Sequence, residues 1–388
     1  MRSLATLLLS LVVSGCASVA IPPQPDRLFR DALFAPPNER VSATDVFALS
    51  DEMKRYLLVE IAGELNAKGA LQGLVDALAS KNHLKIEYDS AQTRNAAQTF
   101  KERAGNCLSL VIMTSALARE LGLPVYYYGV AVEETWSRAG GLYFSSGHVN
   151  LTVGKRFYDM DGRASSSGLI MIDFNPVPAN RKQRTWPLTE ATILAMYMNN
   201  RSAEALARGQ LDNAYWWVKE AIRQDPAFPG AHNTLGVIYR RHGNLAEAEN
   251  ALTHALELAP SNIQVMSNLS IVLNELGRFD EARRLTAMLE RARPYRPYYF
   301  FDQGQTAMQA GDFPTAREMF AKEIERDADN HEFHFWLGMA YYRLGNLSRA
   351  RKHLTNAMDF SPTRNERDLY AAKRDKLRAY QEKAARAG

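Results

Sequence analysis

One interval governs the second half of the chain. Pro226, Pro260, Pro294 and Pro362 fall on a 34-residue lattice, with Ala328 at the node that lacks proline. Ser202, Gly236, Ser270, Gly304 and Gly338 share a second lattice of the same interval. Gly209, Gly243, Gly277, Gly311 and Gly345 share a third, and Ala214, Ala248, Ala282, Ala316 and Ala350 a fourth. Small residues recurring in step on four lattices mark a repeated unit. Such a unit cannot bury its apolar face alone and must stack on its neighbours. The chain is thereby constrained to an elongated array of five units from about Thr192 to Ser361.

The period and residue placement resemble the tetratricopeptide repeat (TPR), which has two antiparallel helices per unit. The resemblance implies small residues where the two helices cross closely and proline where the second one ends. Residues 362–388 are helical and charged in pattern, as expected of the capping helix and tail such arrays need. At 388 residues the chain has room for two or three domains. Its formal net charge is only +4, with the basic residues dispersed, so nucleic acid is an unsuitable partner.

The first residues read as a targeting segment. Met1-Arg2 carries positive charge, and Leu4 to Val13 is a short apolar run. Val13-Ser-Gly-Cys16 resembles a bacterial lipobox, which implies a signal peptide over 1–15 and acyl chains on Cys16. Each buried CH₂ of such chains contributes about 0.8 kcal/mol of membrane anchoring. Ala17 follows the cysteine, and by resemblance to sorted Gram-negative lipoproteins this implies an outer-membrane lipoprotein facing the periplasm. Residues 16–44, with Pro22, Pro23, Pro25, Pro36 and Pro37, read as an extended tether. Leu28-Phe29 and Leu33-Phe34 are apolar patches that could dock on a domain.

Between tether and array, residues 45–178 form a separate region of mixed pattern. Asp45 to Asn82 is helical, with Ser50 as N-cap and Gly69 and Gly73 as punctuation. Lys85 to Tyr88 reads as an extended connector. The next segment, Arg103 to Gly122, is the most informative one here. Asn106 caps a helix that is apolar nearly all round, so the helix is buried. Cys107 sits in its first turn, where free N–H groups and the helix dipole favour a thiolate. The chain has only one other cysteine, Cys16, so Cys107 has no disulfide partner within the chain. An inert buried thiol is the competing account.

Val125 to Val132 and Gly147 to Val153 read as strands, with a loop over Glu133 to Ser146. On the second strand Val149, Leu151 and Val153 share one face, and His148, Asn150 and Thr152 the other. Arg156 to Asp161 is expected to pair back across Gly154-Lys155, Leu169 to Phe174 to be a buried strand, and 179–191 to be a linker.

Gly105-Asn106-Cys107-Leu108-Ser109 followed by Gly147-His148-Val149-Asn150 looks like the transglutaminase-like fold of bacterial cysteine peptidases. The resemblance implies an α+β papain-like domain with Cys107 as nucleophile and His148 as general base. A thiolate needs a base within reach, and the base an acid to orient it. Asp173 in Ile-Asp-Phe-Asn-Pro matches the family's strand-terminal acid; Asp161 is the alternative, with Asp159 on the same face. Oxyanion donors include the Cys107 backbone N–H, with Gln98 and Asn106 as side-chain candidates.

No cofactor is implied. His331 and His334 have i, i+3 spacing but no third ligand, so no metal is expected there. Trp216-Trp217 and the aromatics from Tyr295 to Phe301 are either repeat core or the lining of a concave peptide groove. Two functions fit. One is a membrane-anchored thiol peptidase, amidase or transamidase whose TPR groove recruits a protein or peptide. The other is a catalytically silent scaffold for envelope protein assembly.

Overall fold

The structure, a computed structural model, describes residues 25–80, 84–140, 142–155, 157–158, 164–165, 168–174, 184–293 and 295–387. The signal peptide, Cys16, Asp159 and Asp161 lie outside them.

Helices α1 (Asp51–Arg55), α2 (Ala62–Lys68) and α3 (Ala70–Ala79) fill the stretch read as helical, with a π turn over Tyr56–Glu60. Ser50 caps α1 by accepting the Met53 N–H. Gly69 separates α2 from α3 at φ 79°. Gly73, by contrast, lies inside α3. A Cβ there would sit 2.9 Å from the Glu64 and Leu65 backbone, so its role is close helix crossing rather than punctuation.

Strand β1 (Glu87–Tyr88) pairs in parallel with β2 (Ala104–Gly105), and α4 (Ala96–Glu102) lies between them in sequence. Helix α5 (Cys107–Glu120) follows, buried without a break from Leu108 to Ala118. Strands β3 (Val125–Ala139) and β4 (Leu142–Gly154) form one long antiparallel hairpin. Strands β5 (Phe157–Tyr158) and β6 (Ala164–Ser165) pair with each other. Strand β7 (Leu169–Ile172) pairs with β4, and β8 (Thr185–Leu188) with β3, giving the sheet order β7-β4-β3-β8.

Four expectations are corrected here. Glu133 to Ser146 is not a loop, because the hairpin continues through it after a register shift between Val130 and Thr135. Phe157-Tyr158 does not pair back on β4, whose partner on that side is β7. Strand β7 is an edge strand with Met171 exposed, not a buried one. Within the expected linker, residues 185–188 complete the sheet.

The array is built from five helix pairs: α6 (Glu190–Ala207) with α7 (Leu211–Gln224), α8 (Pro229–His242) with α9 (Leu245–Leu258), α10 (Ile263–Glu275) with α11 (Phe279–Ala292), α12 (Tyr299–Ala310) with α13 (Phe313–Arg326), and α14 (His331–Arg343) with α15 (Leu347–Asp359). Helix α16 (Arg364–Ala387) packs on the end. Each glycine of the third lattice turns the chain between paired helices at φ from 76° to 90°, which disfavours any residue with a Cβ. Second and fourth lattices meet at the crossings: Ser202 Oγ donates to Ala214 O at 2.7 Å, and Ser270 Oγ to Ala282 O at 3.3 Å. A Cβ on Gly304 would lie 2.6 Å from the Phe320 ring.

One continuous core joins the N-terminal region to the first three repeats as far as Ala282. A second begins at Tyr298 and holds the fourth repeat and α14, and a third joins α15 to α16. The hairpin bridges the first two. Arg241 donates to Gly140 O at 2.6 Å. Farther along the array, Tyr298 Oη and Asn330 Nδ2 both donate to Trp136 O. Arg138 pairs with Glu332 at 3.0 Å and lies 4.5 Å from the Phe301 ring centre. The polar sequence of the hairpin tip is thus matched to the repeats rather than to water.

The tether is not extended from Pro25 on, and its apolar patches dock on the array as expected. From Pro25 it is a strap bound to α7. Phe34 stacks on Tyr215 at 4.0 Å, Trp216 Nε1 donates to Ala35 O at 2.7 Å, and Trp217 Nε1 donates to Glu39 at 2.8 Å.

Replacing Trp136 by Ala is expected to lower the local stability of α12–α15 by about 2 kcal/mol, since a partly buried indole is lost from the second core. Amide hydrogen exchange should show faster exchange there and unchanged protection in α6–α9; equal loss in both would contradict the separation of the first and second cores.

Candidate functional site

The N-terminus of α5 is shaped by local bonds. Asn106 Oδ1 accepts the Ser109 N–H at 2.9 Å, and Asn106 Nδ2 donates to Thr93 Oγ1 at 3.0 Å. Gln98 closes the cap of α4, accepting the Asn95 N–H at 3.2 Å. Both candidate oxyanion amides thus accept cap bonds through their oxygens, and the Asn106 Nδ2 donor is directed to Thr93. Cys107, half-buried, opens α5 with its sulfur 3.9 Å from Gly147 O.

His148 stands next to that carbonyl on β4 and is 7% exposed. Its Nε2 lies 2.9 Å from Asp173 Oδ1 and 3.1 Å from Oδ2. The pairing of β4 with β7 delivers Asp173, one residue beyond the end of β7, to this point. The Cys107 side chain adjoins the ring and, after Asp173, favours its charged form. With Nε2 held by the carboxylate, Nδ1 is the nitrogen available to sulfur. Cys107, His148 and Asp173 are thus brought together by three separate elements. Burial pulls the imidazole toward its neutral form, but Asp173 and then Cys107 outweigh it. The His148 pKa is pushed up to about 9.

A residue that sequence reasoning passed over is Tyr88. The β1–β2 pairing sets it opposite Gly105, which brings its phenol up to Cys107. Burial, then the neighbouring Cys107 charge, holds the phenol above the ordinary tyrosine range, so it stays a hydroxyl. Nothing in the segment Lys85 to Tyr88 signals this, because the contact depends on a two-residue parallel bridge.

The other candidates separate. His331 Nδ1 meets Tyr370 Oη at 2.9 Å, whereas His334 Nδ1 meets His353 Nδ1 at 2.9 Å and its Nε2 meets Ala328 O. The two rings thus serve different packing contacts. Among the described residues no group of three or more His, Cys, Asp or Glu is placed to hold a metal ion. No described helix is long and apolar enough to cross a membrane. Trp216 and Trp217 bind the strap, and Tyr298 and Phe301 are core. Of the aromatics read as a groove lining, Tyr295 and Tyr299 remain exposed.

Comparison with known proteins bears on the array. Tetratricopeptide repeat family profiles match residues 204–263 and 301–364, and a second one matches 240–300. Residues 204–364 are tetratricopeptide repeats. Tetratricopeptide repeat proteins bind protein or peptide partners. The chain is similar to cellulose synthase operon protein C of Pseudomonas fluorescens, 25% identical over 171 residues, which are 42% of this chain and 13% of that protein. It is similar to the type IV pilus assembly protein PilF of Pseudomonas aeruginosa, 28% identical over 121 residues, covering 31% of this chain and 48% of PilF. The chain thus spans less than half the length of these curated relatives. Among solved structures, YrrB, described as a TPR protein with an unusual peptide-binding site, aligns at 21% identity and a TM-score of 0.26 over 46% of this chain and 92% of its own. The P. aeruginosa PilF structure aligns at 19% identity and a TM-score of 0.26 over 50% of this chain and 97% of its own.

The raised His148 pKa links stability to pH. Its folded value of about 9 exceeds the unfolded value near 6.5. The stabilisation is complete below pH 6.5 and is lost as pH rises through 9. Urea unfolding of wild type against Asp173→Asn should show a gap of about 2 kcal/mol at pH 6 that narrows by pH 9.5. A gap that widens with pH would contradict this assignment.

Proposed function

We propose that the chain is a docking protein of the bacterial envelope. Its TPR array takes a protein or peptide partner, and a lipid on Cys16 holds it at the outer membrane on the periplasmic side. The observation that carries the docking role is the five-pair array with its family matches over 204–364. Similarity to an assembly protein, PilF, supports a role in assembling envelope proteins. The Val13-Ser-Gly-Cys16 sequence supports the anchor. Cells fed radiolabelled palmitate should label the wild-type chain and not Cys16→Ala. A photo-crosslinker at exposed Tyr295 or Tyr299 should capture a discrete partner in the periplasm. Palmitate on both chains, or no captured species from either position, would remove the corresponding part of the proposal.

A second reading is favoured by one specific observation, the 2.9 Å contact of His148 with Asp173 beside Cys107. In this reading the N-terminal region is transglutaminase-like and performs acyl transfer on the docked partner. The Cys107 sulfur attacks an amide carbonyl, the C–N bond breaks, and His148 gives its proton to the leaving amine. Water then releases the acyl group as an acid, or an amine takes it as a new amide, and Cys107 returns to its starting form. Asp173 keeps the ring oriented. Iodoacetamide should alkylate wild type at pH 7 at least about tenfold faster than His148→Ala, because a charged imidazole beside the sulfur favours its attack. Equal rates would leave only the docking role.

A further inference from the structure

The sheet end that carries His148 opens into a cavity of about 420 Å³. Gly147, His148, Trp186 and Leu188 contribute one side of its lining, and Met196 and Phe228 of the first two repeats the other. We propose that this cavity receives one bulky apolar side chain, aromatic or branched aliphatic, of a peptide whose neighbouring carbonyl lies at Cys107. The assignment rests on the acyl-transfer reading above.

Continuity with the thiol is the first argument. Gly147 is in the cavity lining, and its carbonyl is the oxygen 3.9 Å from the Cys107 sulfur. Cys107 is not itself in the lining, but one residue of β4, Gly147, separates a group seated in the cavity from the sulfur.

Chemistry is the second. Trp186, Leu188, Met196 and Phe228 present carbon and sulfur. The carboxylate in the lining, Asp225, is already engaged: Oδ2 accepts Thr192 Oγ1 at 2.7 Å and Oδ1 accepts the Ala227 N–H at 3.0 Å. The greater part of the lining is hydrocarbon, so an apolar side chain would exchange water for hydrocarbon there.

Trp186 supplies the third. It lies on edge strand β8, directly over Gly129, where a Cβ would come within 2.4 Å of its ring. The missing Cβ lets the indole lie flat against β3. Even so the residue is 49% exposed. Folding alone gains little from so open an indole; a ligand ring or branched chain set against it completes its burial.

The cavity also has a shared origin. Strand β8 ends at Leu188 and α6 starts at Glu190, so the sheet runs into the first repeat with a single residue between them. The repeats therefore build half of the pocket beside the thiol in addition to presenting a docking surface.

The test uses the full chain and two chloromethyl ketones, acetyl-Phe and acetyl-Gly. With each the Cys107 sulfur displaces chloride and forms a thioether. The Phe reagent should label Cys107 at least about tenfold faster, the gain expected for burying one aromatic side chain. That ratio should fall toward one in Trp186→Ala and in Met196→Trp, which open and fill the cavity respectively. A wild-type ratio near one, a ratio unmoved by both substitutions, or labelling by iodoacetamide but by neither ketone would overturn the assignment. Iodoacetamide is too small to report the cavity and so tests the acyl-transfer reading separately. Its rate losing all dependence on His148 sinks that reading, while the ketone ratio still decides whether the cavity binds an apolar group.

Discussion

Helix α5 lacks a solvent face along its middle, and the architecture follows from that. A helix apolar all round must be covered on all sides. The sheet supplies one cover through Val149, Leu151 and Val153, and the first repeat supplies another through Ile193, Tyr197 and Met198, all in one core. The N-terminal region therefore does not finish its core without the array. Where sequence alone places a boundary and a linker, the molecule has a shared interior.

The same burial locates the chemistry. With the body of α5 enclosed, only its two ends are accessible, and at the capped N-terminus Asn106 fixes the first turn and Cys107 meets the end of the sheet. Charge follows from geometry. A carboxylate at 2.9 Å from a nearly buried imidazole is worth more than the desolvation of that ring, so the ring holds its proton in neutral water. Tyr88 is protonated for the opposite reason, because burial and the adjoining Cys107 both oppose a phenolate.

What was legible in the sequence was what local rules decide. The glycines at positive φ and the alanines at helix crossings declared the repeats, because each position has a steric requirement that few residue types meet. Asn106, Ser50 and Gly69 declared helix ends for the same kind of reason. The missed features all depend on distant partners. Glu133 to Ser146 is polar enough to pass for a loop, yet it pairs as strand because Trp136 and Arg138 find the fourth and fifth repeats. Strand β8 is four residues long and is defined by β3. The choice between Asp173 and Asp161 turned on which segment pairs with β4, a non-local matter that the alternation of side chains could not decide. Asp173 is the acid beside the ring, and Asp161 lies outside the described residues.

The array is fastened at both extremities to the region that precedes it. Glu204 in the first repeat accepts the Thr93 N–H at 2.7 Å, while beyond the fifth repeat Pro362 O accepts the Ser90 N–H at 2.8 Å and Arg364 pairs with Glu87 at 2.9 Å. A free-ended solenoid frays from its last unit inward, because each unit answers only to its neighbours. Here the last unit is also anchored to a segment three residues from the contact of the first, so the molecule closes on itself like a clasped bracelet. Peeling the terminal repeat has to break the clasp as well as the stack, which moves the weakest link away from the C-terminal end and toward the junction between the first and second cores.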